Sequence, residues 1–576
     1  MPSKKFKKRT LLIVFATCLS LLTSCALRPE VVQTNRSFQE FTTQLFQQEV
    51  ASNTISLHFT LQDPSAFGIS NAPVTFGSYD INVSASLASL ENVLAMLKKF
   101  DYDSLSSENQ ITYDVLESYL RMAKEGARFA LYEEPLNPIT GIQAQLPILL
   151  AEFPFRTTED VDIYLELLTT MPDYFESLIR FQQQKSEAGL FMPESSVDAV
   201  VAQSRSFIDS ANDNFLHSSF KERLTSLDSL TEEAFSKYLA RNKEHIAGYI
   251  VPAYEALVDG LLLLRGTGKN DQGLAHLPEG REFFKNLVVR QTGSSRDIET
   301  LQEMTLAQIT ADLQAIQDII EEQPDTLMAS QNITLEETNP IAILNDLEAK
   351  IDPIFPPGPK VTTRVKYVPE DMENYLSPAF YLIPTIDNIS DNVIYINRGH
   401  TLEGLQLFTT LAHEGYPGHL YQTTFFASLN PDPIRNILNF GGYTEGWATY
   451  AEMCSYYLAP IDRDVAAIMQ KNNSALLGLY AAADMGIHYG GWSLMDTASF
   501  FYDYGIEDMD VIRIIYQMII SNPANYLKYY IGYLEILELK KQAMEIWGDD
   551  FTQQKFHEAI LTIGPAPFDV ITKHIF

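Results

Sequence analysis

The sequence predicts a mainly α-helical fold of the α+β type, a large helix-rich body with a small β-sheet next to one central helix. Three observations predict it. Apolar residues recur at three- and four-residue spacings through most of the 576-residue chain, the mark of amphipathic helices. A proline-rich interval around 352–400 breaks that pattern and holds two short strand-type runs, TTRVKYV and NVIYIN, rich in β-branched and aromatic residues. The helical pattern then resumes directly in a stretch dense in histidine and carboxylate, TLAHEGYPGHLYQ.

Taken in order, the chain opens on MPSKKFKKRT, with Lys4, Lys5, Lys7, Lys8 and Arg9, followed by the apolar LLIVFATCLSLLTSC. A basic start and an apolar run ending in small residues read as a secretory signal over 1–24, and the run is too short for a membrane span. Its end, LLTSC, resembles a bacterial lipobox, which makes Cys25 the expected site of lipidation and 25–36 a tether to the body. The chain is then expected in the bacterial cell envelope, outside the cytoplasmic membrane and held on it through an N-terminal lipid only. Residues 37–350 form an N-terminal helical part, with helices expected at 37–52, 86–100, 160–184, 231–266 and 294–323. Residues 351–576 form a C-terminal catalytic part that shares one cleft with it, with further helices near 443–458, 465–503, 507–520 and 530–546. No fixed-period repeat is present, which counts against a solenoid.

Composition narrows the function. With 41 Lys and Arg against 74 Asp and Glu the formal net charge is −33, and removing the basic signal makes the remainder more acidic still. Such a surface repels nucleic acid and anionic lipid. Of three cysteines, Cys18 lies in the signal and Cys25 at the expected lipid site, leaving Cys454. One thiol builds neither a disulfide framework nor a thiolate metal cluster.

The chemistry concentrates in HEGYPGH, residues 413–419. Ligands four apart share a helix face, but His413 and His419 are six apart, about 120° around the helix and about 9 Å along it. Pro417 has no N–H to bond the carbonyl of His413, and Gly418 admits backbone angles closed to other residues. Removing those two residues would leave His-Glu-Gly-Tyr-His, the spacing of a zinc-protease helix. Pro417 and Gly418 are therefore expected to distort the helix and carry His419 back to one zinc ion shared with His413. A zinc hydrolase needs a third protein ligand and an open position. Glu445 in GGYTEGWATYAE, twenty-six residues after His419, is the expected ligand, with Glu452 orienting an imidazole from behind. Glu414 is then the general base. Asp484 and His488 in DMGIHYGGWS, four apart, are expected to pair. His488, Tyr529 and Tyr530 are candidates for stabilising an oxyanion, and NVIYIN is a candidate open edge for an extended peptide.

AHEGYPGHLYQ, YTEGWATYAE, DMGIHYGGWS and YYIGYLEILELKKQA occur in the order seen in the family catalogued as domain of unknown function 885, many of whose members are bacterial lipoproteins. That family is similar to gluzincin-type metallopeptidases and, among helix-rich relatives, to the thimet-oligopeptidase group. The resemblance implies a zincin-like body with a deep central cleft, and His413, His419 and Glu445 on one Zn2+ with Glu414 as base. It also implies His488 and Tyr529 near substrate. The family's PGQAxxYKxG appears here as PANYLKYYIG, with Ala524 and Asn525 replacing Gly and Gln, so which of Tyr529 and Tyr530 faces the site stays open. The expected function is hydrolysis of short peptides by a zinc metallopeptidase. The alternatives are another metal-dependent amidohydrolase or esterase, and a non-catalytic lipoprotein binding module.

Overall fold

The helical periodicity matures into long helices wherever caps and breakers allow. The computed structural model describes residues 29–576 except 210–214, 228–229, 371–372 and 374–375; the expected signal and Cys25 lie outside the described residues. These are 69% helical with one three-stranded sheet, about twice the ~30–35% helix of an ordinary globular domain, and the mainly α expectation holds. Helix has already begun at Pro29 and runs to Val50, inside the stretch expected to be a tether.

Two expected long helices are interrupted for identifiable reasons. The one over 231–266 becomes Glu232–His245 and Val251–Leu264 joined by a widened π turn, Ile246–Ile250. Pro252 follows that turn and lacks the N–H a regular turn would use. The one over 465–503 stops after Arg463–Met485 and a second π turn, Gly486–Gly490. Gly491 takes φ +83°, and Ser493 with Asp496 then forms a capping box that starts Leu494–Tyr502 afresh.

The strands are β1 (Thr362–Tyr367), β2 (Ala379–Leu382) and β3 (Asp391–Ile396), in the order β1-β3-β2. β3 runs parallel to β1 and antiparallel to β2. NVIYIN is therefore the central strand, and the expectation that it offers an open edge is wrong. Both its edges are paired and both its faces are covered: Ile394 and Ile396 pack into one core, Val393 and Tyr395 into another, as the two-residue alternation of a strand requires. The outer strands are β1 and β2, and β2 is a run of four residues without a signal of its own.

Those two cores organise the molecule. The larger joins Phe38 and Phe46 of the first helix to Phe408, Trp447 and Leu534 of the C-terminal half. The second gathers Tyr164, Phe175, Leu216 and Tyr254. The closest packing is between helices Gly441–Ser455 and Asn525–Trp547. A Cβ on Gly532 would lie 2.1 Å from the carbonyl oxygen of Gly442, and one on Gly446 would lie 2.4 Å from the carbonyl carbon of Gly532. Gly446 and Gly532 thus let the two backbones touch, and a side chain at either would push the helices apart. Gly532→Ala is expected to lower the unfolding free energy by about 2–4 kcal/mol, in the range of overpacked or strained sites. Urea denaturation measures it, and an unchanged midpoint would mean that the close approach is not required.

Candidate metal centre

The helix Gly404–Glu414 stops at Glu414 and a new one, His419–Ser428, starts at His419. Between them lie Gly415, Tyr416, Pro417 and Gly418, with the Tyr416–Pro417 peptide cis. The hydrogen bonds across the gap show how the break works. Gly418 N–H donates to Ala412 C=O at 2.9 Å, and Tyr421 N–H to Gly415 C=O at 3.2 Å. Each reaches back six residues where a regular helix reaches back four, so two residues are looped out and the helical register resumes beyond them. Gly418 has no alternative residue type: a Cβ there would lie 1.8 Å from the carbonyl oxygen of His413 and 2.4 Å from that of Ala412. Trp447, fully buried, donates its indole N–H to the Pro417 carbonyl at 2.9 Å and fixes the loop from the neighbouring helix.

The predicted distortion is present, and it brings the two imidazoles together. Their ring centroids are 4.8 Å apart with planes at 86°. His413 Nε2 and His419 Nε2 face Glu445 Oε2 at 3.8 and 3.3 Å, and the three side chains offer ligand atoms all within 4.8 Å of one another. Behind them, His413 Nδ1–H donates to Glu452 Oε2 at 3.1 Å, and Glu452 Oε1 accepts from Asn473 Nδ2 at 3.1 Å. This chain fixes the tautomer that leaves Nε2 of His413 free to ligate. Glu414 turns the other way. Its Oε2 accepts the backbone N–H of Tyr381 on β2 at 2.8 Å, tying the carboxylate to the outer edge of β2.

Electrostatics follow this geometry. Burial opposes charge on His413, but Glu445 and Glu452 outweigh it and hold its pKa well above the usual histidine value. Burial likewise opposes charge on Glu445, but the two imidazoles and Lys528 keep its carboxyl well below the usual range. Lys528 Nζ lies 3.4 Å from Glu445 Oε1. Sequence reasoning missed this lysine, as it missed Asn473 and the Tyr381 amide; nothing in their local patterns marks them.

The tyrosine pair resolves cleanly. Tyr529 lines the cleft, with its ring centroid 6.3 Å from that of His413. Burial and the Glu445 and Glu414 carboxylates push its phenol well above the ordinary value, so it stays a proton donor. Tyr530 points to the opposite side of the same helix. It is fully buried, its hydroxyl has no hydrogen-bond partner among the described residues, and it packs against the position of Gly478; the expectation that it serves the site is corrected.

His488 does not reach the metal cleft either: it is fully buried and lines an adjoining cavity instead, so the expectation that it stabilises an oxyanion at the centre is corrected. Its Nδ1 accepts the Leu274 N–H at 3.1 Å, its Nε2 donates to the Ile519 carbonyl at 3.0 Å, and its ring packs on Phe284. Burial lowers its pKa to about 4. Nor does Asp484 pair with it. The π turn that begins at Gly486 removes the regular i, i+4 relation, and Asp484 Oδ1 instead accepts the N–H of Ala524 at 3.0 Å. Ala524 sits at φ +61° just before the Tyr529 helix, so Asp484 anchors the start of that helix.

The centre lies in a cleft of about 820 Å³, walled by β2, the two histidine helices, and the helices carrying Glu445 and Tyr529. Residues 80–575 match the family described as "Bacterial protein of unknown function (DUF885)". The chain belongs to this family. The fold recurs in two solved structures. One is the "putative lipoprotein" of Colwellia psychrerythraea, with a TM-score of 0.83, 18% identity, and coverage of 94% of this chain and 98% of that one. The other is a "putative lipoprotein of unknown function" of Shewanella oneidensis, with a TM-score of 0.64, 16% identity, and coverage of 94% and 99%. At these identities the likeness is one of fold. No curated protein matches the chain.

Burial raises the Asp484 carboxyl to about 8. Between the unfolded carboxylate value near 4 and that folded value, the native state holds the proton more tightly than the unfolded chain, so this residue's contribution to stability falls as pH rises. Asp484→Asn keeps an acceptor for Ala524 and cannot ionise. Relative to the parent it is expected to gain about 1–3 kcal/mol on going from pH 5 to pH 8, read from urea denaturation at each pH. A pH-independent difference would contradict the assignment.

Proposed function

We propose that this family member is a zinc-dependent metallopeptidase that hydrolyses short peptides. The observation that carries the reading is the placement of Glu414. It directly follows the ligand His413, beside a converging His-His-Glu set, yet its carboxylate faces the outer edge of β2 across the same cleft. A binding module needs no such base.

The donor set fits zinc: two imidazole nitrogens and one carboxylate oxygen, with a carboxylate behind one imidazole and room for a further ligand. Zinc, when bound by His413, His419 and Glu445, would supply a Lewis acid that acidifies water and polarises a carbonyl. The chain's own groups do the rest. The edge of β2 pairs with an extended peptide and presents its scissile bond to the cleft. Glu414 takes a proton from the attacking water and delivers it to the departing amine. The Tyr529 hydroxyl donates to the oxygen that gains charge. Lys528 balances the charge of Glu445 and holds the carboxylate in one orientation. The LLTSC segment and the descriptions of the two structural neighbours support an envelope protein anchored through a lipid on Cys25; an outward-facing body belongs to the same proposal.

Metal analysis with a panel of quenched-fluorescence peptides tests the reading. One zinc per chain and peptide cleavage are expected. Glu414→Gln is expected to keep the metal and lose about 10²–10⁴-fold in kcat/KM. Tyr529→Phe is expected to lower kcat by about 10²–10³-fold with little change in KM. Glu452→Gln is expected to weaken zinc affinity about 10–100-fold in a chelator competition. Hydrolysis of other amides or esters without peptide turnover would make the protein a different metal hydrolase. Failure to bind zinc after reconstitution would remove both enzyme readings.

A further inference from the structure

The cleft at the metal centre does not end at its own walls. Thr140 and Gln291 line it and also line a second cavity of about 250 Å³. Pro193, Asn270 and Ile520 in turn line that second cavity and a third of about 780 Å³. The three adjoin in series. Ile383, 58% exposed, borders the first, and Met495, 65% exposed, borders the third, so both ends of the series reach solvent.

The junction between the first two is built from held residues. Asn137, buried, accepts the N–H groups of Ile139 and Thr140 at 2.9 and 2.7 Å and donates to the Thr140 hydroxyl at 3.1 Å. Opposite it, the helix Gly280–Thr292 brings Gln291 against Gly441, where a Cβ would lie 2.8 Å from the Gln291 carbonyl oxygen. Gly441 begins the helix that carries Glu445. This junction is therefore registered to the metal centre by the same packing that places Glu445.

The second chamber's chemistry is specific in what it lacks. Its charged wall groups are paired with one another or with a neighbour: Lys185, 2% exposed, with Glu134 at 2.9 Å, and Glu133 with Arg290 at 2.5 Å. Among the described residues no charged wall group is left unpaired to demand a charged ligand, and the one imidazole in the wall, His488, is held by two backbone partners. The remaining walls mix apolar Leu136, Phe191 and Phe283 with the amide and hydroxyl groups of Asn270, Ser521 and Asn522. Apolar surface with a few polar groups suits side chains and the backbone of an uncharged peptide segment. At about 250 Å³ the chamber falls below the ~300–1,000 Å³ of an autonomous small-molecule site, so it suits part of a ligand whose remainder lies next door.

We propose that this second chamber is a distal subsite of the peptide cleft. A peptide bound across the metal centre extends past Thr140 and Gln291 and seats an uncharged stretch of its chain there. The proposal rests on the peptidase reading and adds to it a preference for peptides long enough to reach the chamber.

Two measurements test it. Ser521→Trp fills the second chamber without touching the metal cleft and is expected to lower kcat/KM for octapeptides at least tenfold while leaving tripeptides within twofold; an unchanged length profile would overturn the proposal. The second readout needs no turnover. In a Glu414→Gln background, a cysteine is placed in the chamber (Ser521→Cys) or in the metal cleft (Thr423→Cys) and labelled with a small maleimide, the parent chain giving the background of its own thiols. A neutral octapeptide is expected to slow labelling at both positions at least fivefold, and a tripeptide only at Thr423→Cys. Octapeptide protection at Thr423→Cys alone overturns the subsite and leaves the peptidase reading standing. Protection at neither position overturns both.

Discussion

The candidate centre depends on one hydrogen bond of unusual reach, from the Gly418 N–H to the Ala412 carbonyl. A regular helix would aim His419 about 120° away from His413. Looping out two residues returns it to the same face, and the matching bond from Tyr421 to Gly415 shows that the register is restored on the far side. Each residue of the loop has a physical reason to be there. Pro417 could not have made the regular bond, Gly418 admits no Cβ, and the Trp447 indole holds the outward carbonyl. The interruption is a built element of the site.

The other half of the site comes from helix packing. Gly446 and Gly532 bring the Glu445 and Tyr529 helices into backbone contact, so a carboxylate on one and a phenol on the other both reach the histidine pair. Asp484 fixes the start of the Tyr529 helix, which gives this buried carboxylate a positioning role where sequence spacing suggested a chemical one. From the opposite side, β2 places its Tyr381 amide on Glu414. Glu414 and the outer edge of β2 are thereby linked.

What the sequence made legible was the local and the periodic. The helical content, the two long strands, the distorted HEGYPGH turn, Glu445 four residues after Gly441, and Glu452 behind His413 all follow from spacing along single elements. What it left hidden depended on packing between elements. Tyr529 and Tyr530 are adjacent in sequence, and only the contact of their helix with Gly478 on one side and the cleft on the other separates them. His488 resembled a site histidine because its motif is polar and glycine-rich, yet the π turn carrying it points inward to two backbone partners. Lys528 and Asn473 act through neighbours more than twenty residues away or on another helix, and no one-dimensional pattern registers that. β2 is too short to show an alternation.

The central claim is that the looped-out pair carries His419 onto the same ion as His413 and Glu445. The most direct measurement is an anomalous difference map, recorded on both sides of the zinc absorption edge, from crystals of the zinc-reconstituted chain. A single strong peak is predicted at about 2.0–2.2 Å from Nε2 of His413, Nε2 of His419 and a carboxylate oxygen of Glu445. A peak coordinated by other residues, or by His413 without His419, would contradict it.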